Sequence, residues 1–372
     1  MSGGRVLDLD ALLSPISDSA PTGVDLREDS APQPIYLRLK DARSAARAAE
    51  RSADRGGDPD EVRRTAGEAS SQWRTVLDLS QQALAKQSKD LEIASWLVEA
   101  ALRAHGFAGL RDGFVLLNGL VTTYWDSLHS IRDEEGMTSF VAPLAALNGV
   151  EADGTLIQPI RRVPVTAGDG DTYAAYQFDQ AEALAKITDK AAHDSRVAAG
   201  VPTVEQFESA LRASPKEFLR ALVDDLAGSL EALAALSTAL TEKIAADAPS
   251  TSTIRNALEK VRDLVVPRTQ GLLPAATPAT NGAAEPAAAD YANGAAAPKG
   301  GAMDRDAALR MLAEVADFFR ATEPHSPIAF TLDEVIRRAH MSLPELLAEL
   351  LPDAAARRTF LTTAGIRAPD VK

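Results

Sequence analysis

Residues 106–128, GFAGLRDGFVLLNGLVTTYWDSL, carry large apolar side chains at alternating steps of three and four. This spacing places them on one side of an α-helix, where they form an apolar seam that must pack against another element. The seam residues are Phe107, Leu110, Phe114, Leu117, Val121, Tyr124 and Leu128. The pattern therefore predicts a helix buried in a bundle.

Helical spacing also dominates the sequence on both sides of this seam. Apolar positions repeat in the same way over residues 73–84 and 94–102, so three neighbouring helices are expected to form an antiparallel bundle. Farther along, Leu219, Leu226, Leu233 and Leu240 recur every seven residues. The intervening positions are Leu222, Ser229, Leu236 and Lys243. Because Ser229 and Lys243 interrupt the apolar seam there, a bundle helix is favoured, with a coiled coil as the alternative. Strand signals are confined to fragments such as 156–166, and the predicted fold class is all-α.

Composition divides the chain into segments. Residues 274–302 are rich in Ala, Pro and Gly and contain no large aliphatic side chain, so they cannot bury a core and predict a flexible linker. The predicted division is an N-terminal helical domain with a leader segment, a loop at 150–180 followed by a middle helical region, the linker, and a small C-terminal helical docking domain. The limits are 1–150 with the leader at 1–35, 151–266, 267–302 and 303–372.

A proline-punctuated acidic leader runs directly into an arginine-rich helix at residues 14–51, SPISDSAPTGVDLREDSAPQPIYLRLKDARSAARAAER. The prolines forbid a continuous helix, so the leader is expected to lie as a strap across a surface formed elsewhere. From residue 36 the composition changes to good helix formers, and Arg43, Arg47 and Arg51 recur every four residues. They therefore share one helix face.

This arginine row has alternative interpretations. Guanidinium groups in register can bind an acidic patch or phosphate of a partner, which makes Arg43, Arg47 and Arg51 candidate partner-binding residues. The row can also be a solvated face neutralised by neighbouring carboxylates. An intermediate case has carboxylates of the leader folded back onto the arginines. The carboxylates in question are Asp41, Glu50 and Asp54, and from the leader Asp25, Glu28 and Asp29.

A second candidate motif, EPHSP, interrupts the C-terminal helical pattern. Pro324 disfavours helix at the residue before it, and Ser326 can cap a new helix that begins with Pro327, so a simple corner between two helices explains most of the motif. That interpretation gives no role to the guanidinium of Arg320, the carboxylate of Glu323 or the imidazole of His325. The alternative is a recognition surface formed by Arg320, Glu323, Pro324, His325, Ser326 and Pro327.

Charge and composition exclude several function classes. The formal charge of −14 and the pI near 4.9 disfavour binding to nucleic acid, which needs a basic surface. The chain has no cysteine, and its five histidines lack metal-ligand spacing. No nucleotide loop or nucleophile elbow is found, and no apolar run is long enough to span a bilayer. We therefore predict no catalytic, cofactor or metal site, and no membrane insertion.

Several stretches resemble the ImpA/TssA family of bacterial type VI secretion. The leader, YLRLKDARSAARAAER at 36–51, the block at 73–117 and YWDSLHS at 124–130 are similar to its N-terminal domain, over roughly residues 10–150. The block at 318–353, FFRATEPHSPIAFTLDEVIRRAHMSLPELLAELLPD, resembles the C-terminal domain of short family members. Long members end in a larger ring-forming domain, so their function at the sheath tip is not transferred.

The resemblance implies a non-enzymatic structural component of the type VI baseplate that couples baseplate, sheath and tube assembly. It implies contacts with baseplate subunits, the contractile sheath and inner tube proteins, self-association into a homo-oligomer, and a cytoplasmic location at the inner membrane. The alternative is a transient adaptor or chaperone-like regulator of a secretion component. No cofactor is implied.

Overall fold

A computed structural model describes residues 4–150, 152–168, 170–273, 305–322 and 327–339, with four further positions at 341, 346, 349 and 353. Over these residues the chain forms thirteen α-helices and one short 3-10 turn, and its only β pairing is three isolated bridges. The predicted all-α class is therefore confirmed. The chain divides into two compact units, Met1–Ala279 and Thr280–Lys372.

The leader contains one short helix, α1 (Leu9–Leu13), between turns and bends. Its apolar side chains, including Leu7, Leu12 and Leu26, are buried in the hydrophobic core of the first unit. The leader backbone is bound as well, because the Tyr124 hydroxyl donates a hydrogen bond to Leu13 O at 2.6 Å. The leader is thus anchored to the bundle at several points between residues 7 and 26.

Helices α2 (Ile35–Asp54) and α3 (Pro59–Lys86) form a hairpin. The buried positions of α2 are mostly alanines, so the two backbones approach closely. Gly56 and Gly57 have positive φ angles of 70° and 127° in the connecting turn, a conformation that glycine adopts without strain. Asp58 begins α3 by accepting a hydrogen bond from Asp60 N.

Helix α4 (Leu91–Tyr124) folds back on itself at Gly106, whose φ of 58° and ψ of −141° are not helical. The arms 91–105 and 107–124 correspond to two of the predicted helices. They contact each other closely, because a Cβ on Gly113 would lie 2.9 Å from a methyl group of Val98. A continuous helix would separate these residues by about 22 Å, so the arms are antiparallel.

The prediction of a long loop at 150–180 is wrong in part. After α5 (Met137–Asn148) the chain forms α6 (Ile157–Arg162) and α7 (Ala175–Ala185), which bury Ile160 and Phe178. The described glycines of this region and Pro164 lie in the turns around two short helices, whereas Pro159 lies inside α6. The suggested strand fragment contributes only the Pro164–Ala174 bridge.

The middle region continues with α8 (Lys190–Ala198), α9 (Val204–Ala213), α10 (Lys216–Ile244) and α11 (Ser252–Thr269). The heptad leucines of α10 are buried against α4 and α11, as in a bundle helix. Ser229, which interrupts the leucine row, donates a hydrogen bond to Phe107 O at 3.1 Å. The predicted limit at residue 150 therefore falls inside a single compact unit.

Helix α11 also runs past the predicted start of the linker at residue 267. It includes Pro267 and ends at Thr269, which is buried. Proline removes one helical donor, but Val265 and Thr269 are buried on either side of it and Arg268 lies over the Phe178 ring at 4.5 Å, which offset this loss. Residues 274–304, nearly all of the predicted linker, lie outside the described residues.

The second unit contains α12 (Arg305–Thr322) and α13 (Pro327–Ala339), which pack against each other. Ala316 and Ala329 are buried between them. Pro327 is the first residue of α13, the position at which its fixed φ and missing N–H are tolerated.

Candidate partner-binding surfaces

The predicted arginine row lies on α2, but its members have different surroundings. Arg43 is largely buried, and its guanidinium makes a bidentate ion pair with Glu99 of α4, at 2.7 and 2.9 Å. Burial alone would raise the pKa of Glu99, yet the hydrogen bonds and charge of Arg43 hold it below its ordinary value. Arg43 also lies 5.6 Å from the Trp96 ring centroid. This arginine is thus used inside the unit.

Arg47 and Arg51 have no ion pair or hydrogen-bond partner for their side chains among the described residues. Arg47 is half-buried and Arg51 is exposed. Burial lowers the pKa of Arg47, and so do the positive charges of Arg43, Arg51 and Arg103. The negative charge of Glu99 acts in the opposite direction but does not outweigh these effects, so Arg47 lies in a region where cations predominate.

Two of the carboxylates that were expected to neutralise the row, Glu50 and Asp54, bind other arginines instead. Glu50 accepts two hydrogen bonds from Arg103, at 2.6 and 3.0 Å, and that guanidinium stacks 3.9 Å from the Trp73 ring centroid. Asp54 pairs with Arg162 at 2.7 Å. Neutralisation by Glu50 and Asp54 is therefore not observed, because both carboxylates turn toward cations of other helices.

The intermediate interpretation, in which the leader covers the row, is not observed for Asp25. This carboxylate accepts a hydrogen bond from Arg27 Nη1 at 3.0 Å. Arg27 also binds Asp90 at 2.6 Å and Glu92 at 2.7 Å, and it lies over the Tyr36 ring. The acidic leader thus carries its own cation, which ties it to the start of α4.

A second buried ion cluster joins three distant segments. Arg111 of α4 binds Asp225 of α10 at 2.5 Å and donates a hydrogen bond to Gly4 O at 3.0 Å. Its neighbour Asp112 accepts from the backbone N–H groups of Val6 and Leu7. Sequence reasoning missed this cluster, although adjacent charges within an apolar seam are an available signal.

Lys89 is one of the largest fully buried side chains among the described residues. Its ammonium donates to Leu12 O at 2.7 Å and Leu84 O at 2.6 Å, near the ends of α1 and α3. Burial lowers its pKa to about 8. A cation at two helix C-termini is favourable, so this lysine joins the leader to α3.

The C-terminal motif is described only at its margins. Arg320, near the end of α12, donates to Asp333 of α13 at 2.6 Å and also pairs with Asp317. Glu323, Pro324, His325 and Ser326 lie outside the described residues. Phe330, one turn into α13, is 72% exposed.

No metal-binding constellation occurs in the described part of the chain: no three His, Asp or Glu side chains come together as metal ligands. None of the described helices is long and apolar enough to cross a membrane. The buried charges instead form ion pairs and backbone hydrogen bonds that join segments.

Comparisons with known proteins agree with the recognised resemblance. Residues 13–149 match the family model for ImpA, N-terminal, type VI secretion system. Over 362 residues the chain is 26% identical to the type VI secretion system component TssA1 of Pseudomonas aeruginosa. The aligned residues cover 95% of this chain and 97% of that protein.

A solved structure is similar as well. It is the N-terminal domain, including the conserved ImpA_N region, of the TssA component of the type VI secretion system from Burkholderia cenocepacia. The match has a TM-score of 0.57 and 28% identity, and covers 72% of this chain and 96% of that one. The resemblance to the ImpA/TssA family is thereby confirmed.

Proposed function

We propose that this chain, a relative of the TssA components of type VI secretion, is a non-enzymatic structural subunit of the secretion baseplate that couples baseplate, sheath and tube assembly. The observation that carries the proposal is the similarity to TssA1 along 95% of the chain, which extends well beyond the ImpA N-terminal region.

The construction of the first unit supports a scaffolding role. Two ion clusters and one buried lysine connect the leader, α4 and α10 at positions up to 114 residues apart. Such links oppose separation of these segments under load, because breaking one partner of a buried charge pair costs several kcal/mol. A subunit that holds other proteins in register needs this resistance.

The proposed partners are baseplate subunits, the contractile sheath and inner tube proteins, at the cytoplasmic face of the inner membrane. We propose that the protein self-associates and that the EPHSP motif of the C-terminal docking domain contacts one partner. The exposed Phe330 supports this assignment, because aromatic anchors are enriched in binding hot spots.

The alternative is an adaptor that binds one secretion component transiently. Sedimentation of assembled particles distinguishes the two roles. In cells that produce the tagged protein at its natural level, a structural subunit co-sediments with the baseplate in fixed proportion, whereas an adaptor stays in the supernatant. Loss from washed particles would overturn the structural assignment.

Light scattering of the purified protein tests self-association separately. An assembling scaffold is expected to give a mass that is a multiple of 39.3 kDa at micromolar concentration. A uniform 39.3 kDa species would count against the homo-oligomer.

A further inference from the structure

We propose that Arg47 and Arg51 of α2, flanked by Arg43 and Arg103, form a binding site for the carboxylates of an acidic protein segment. This inference deepens the proposed function by naming the chemistry of one partner. Its test uses the isolated protein, so it is independent of the test of the structural role. Either proposal can be contradicted while the other is supported.

The local charge balance is the first argument. Four guanidinium groups meet here, and the two carboxylates that face them, Glu99 and Glu50, are already bound by Arg43 and Arg103. Among the described residues Arg47 and Arg51 are left without an ion pair, on a protein whose residues 1–266 carry 28 basic and 40 acidic residues. The excess of positive charge at this site thus contrasts with the net negative charge of residues 1–266 as a whole.

The second argument is the anchoring of the neighbours. Arg43 is held by Glu99 and the Trp96 ring, and Arg103 by Glu50 and the Trp73 ring. These guanidinium groups therefore cannot turn away from Arg47. An anion that binds Arg47 relieves this repulsion, so its binding is favoured by the protein as it is already folded.

The spacing of the two free arginines indicates the shape of the ligand. Positions i and i+4 on a helix are about 6 Å apart. Two carboxylates at that distance are presented by glutamates one turn apart on a second helix. Each can bind a guanidinium through two hydrogen bonds, which lysine cannot reproduce.

The charge of the whole body favours a protein segment over a polyanion. Nucleic acids and anionic membranes carry many negative charges beyond the site, and within the screening length of about 8–10 Å near physiological salt the acidic body repels those charges. An acidic side-chain pair needs only contact at the site. We therefore assign the site to carboxylates.

The test compares two double variants with the same loss of charge. Arg47→Gln with Arg51→Gln removes the site. Arg63→Gln with Arg64→Gln removes two exposed arginines on α3 that pair only with neighbours on their own helix. Circular dichroism and the thermal midpoint establish that both variants remain folded.

The probe is a fluorescein-labelled alanine-based helical peptide with glutamate at every fourth position, measured by fluorescence anisotropy at low salt. We expect it to bind the unaltered protein and the α3 variant within about twofold, and the site variant about tenfold or more weakly, as for loss of charge-assisted hydrogen bonds. The glutamine version of the peptide should not bind.

Three results would overturn the proposal. The first is no binding of the glutamate peptide to the unaltered protein. The second is equal weakening in both double variants, which would mean nonspecific attraction. The third is displacement of the peptide by millimolar inorganic phosphate, or binding to phosphatidylserine vesicles that the site variant loses, which would make the site one for phosphate groups.

Discussion

Arg27 Nη1 lies 2.6 Å from Oδ2 of Asp90, whose other oxygen, Oδ1, accepts hydrogen bonds from Glu92 N and Ile93 N at the start of α4. One fully buried carboxylate thus caps a helix and binds the leader at once. Removing the guanidinium leaves that carboxylate buried without its cation.

Arg27→Met is therefore expected to lower the free energy of unfolding by about 3–5 kcal/mol. Urea unfolding followed by circular dichroism measures the change. Arg5→Met is the control, since Arg5 is also in the leader but pairs with Asp10 where both side chains are exposed, and it should cost less than about 1 kcal/mol. Equal midpoints for the two variants would contradict a structural role for Arg27.

Lys89 predicts a pH dependence of stability at alkaline pH. Its pKa falls from 10.5 in the unfolded chain to about 8 in the folded protein. Between these values the unfolded state binds more protons, so this lysine makes stability rise with pH and penalises the folded state below pH 8. Lys89→Met should remove the rise, a change on the order of 1–3 kcal/mol over this window.

Urea midpoints at several pH values, for the unaltered protein and Lys89→Met, test this slope. Lys86→Met serves as the control, because Lys86 is exposed on the last turn of α3. Parallel curves for the unaltered protein and Lys89→Met would show that the buried ammonium titrates as it does in water.

Leu117→Asp is expected to unfold the first unit, whereas Arg47→Glu should leave it folded. Leu117 is fully buried in α4, and an unpaired carboxylate there costs several kcal/mol, comparable to a typical total stability of ~5–15 kcal/mol. Arg47 has no ion pair or side-chain hydrogen bond among the described residues that its substitution would break. Far-ultraviolet circular dichroism decides, and equal loss of helix in both variants would place Arg47 in the structural framework.

The segment after α11 is expected to be cut early by a nonspecific protease. Residues 274–302 lack the side chains needed to bury a core, so their backbone should open at little free-energy cost. Mass spectrometry should find two stable fragments with termini between residues 270 and 304. Resistance across this interval would contradict the predicted linker.

Glu323→Gln combined with His325→Asn tests whether EPHSP is a recognition surface. Both changes preserve the prolines and Ser326, which are the residues that the predicted corner needs. If Glu323 and His325 only form a recognition surface, the thermal midpoint should stay within a few degrees, since surface changes usually remain within about ±0.5 kcal/mol. Secretion and baseplate association should fall. The matched control is His193→Asn with Glu205→Gln, outside the motif, and full secretion by the folded EPHSP variant would leave the motif as a corner only.

The helices and their apolar faces can be predicted from spacing alone, because a row such as Leu110, Phe114 and Leu117 is removed from water only when that helix face packs against another element. Which charged residues form pairs cannot be predicted in this way, since the fold decides which of them come together. Arg27 meets Asp90 across 63 residues and Arg111 meets Asp225 across 114. Likewise, Glu50 pairs with Arg103, which the fold brings close to it from another helix.

The cluster around Arg111 can be completed only once the ribosome has synthesised Asp225. Gly4 O is bound by a guanidinium whose carboxylate partner, Asp225, is made about 220 residues later. At 5–20 residues per second, a ribosome needs about 10–40 s to cover that distance. The ion cluster is therefore completed only after the leader's other contacts, with Lys89, Asp90 and Tyr124, have become available.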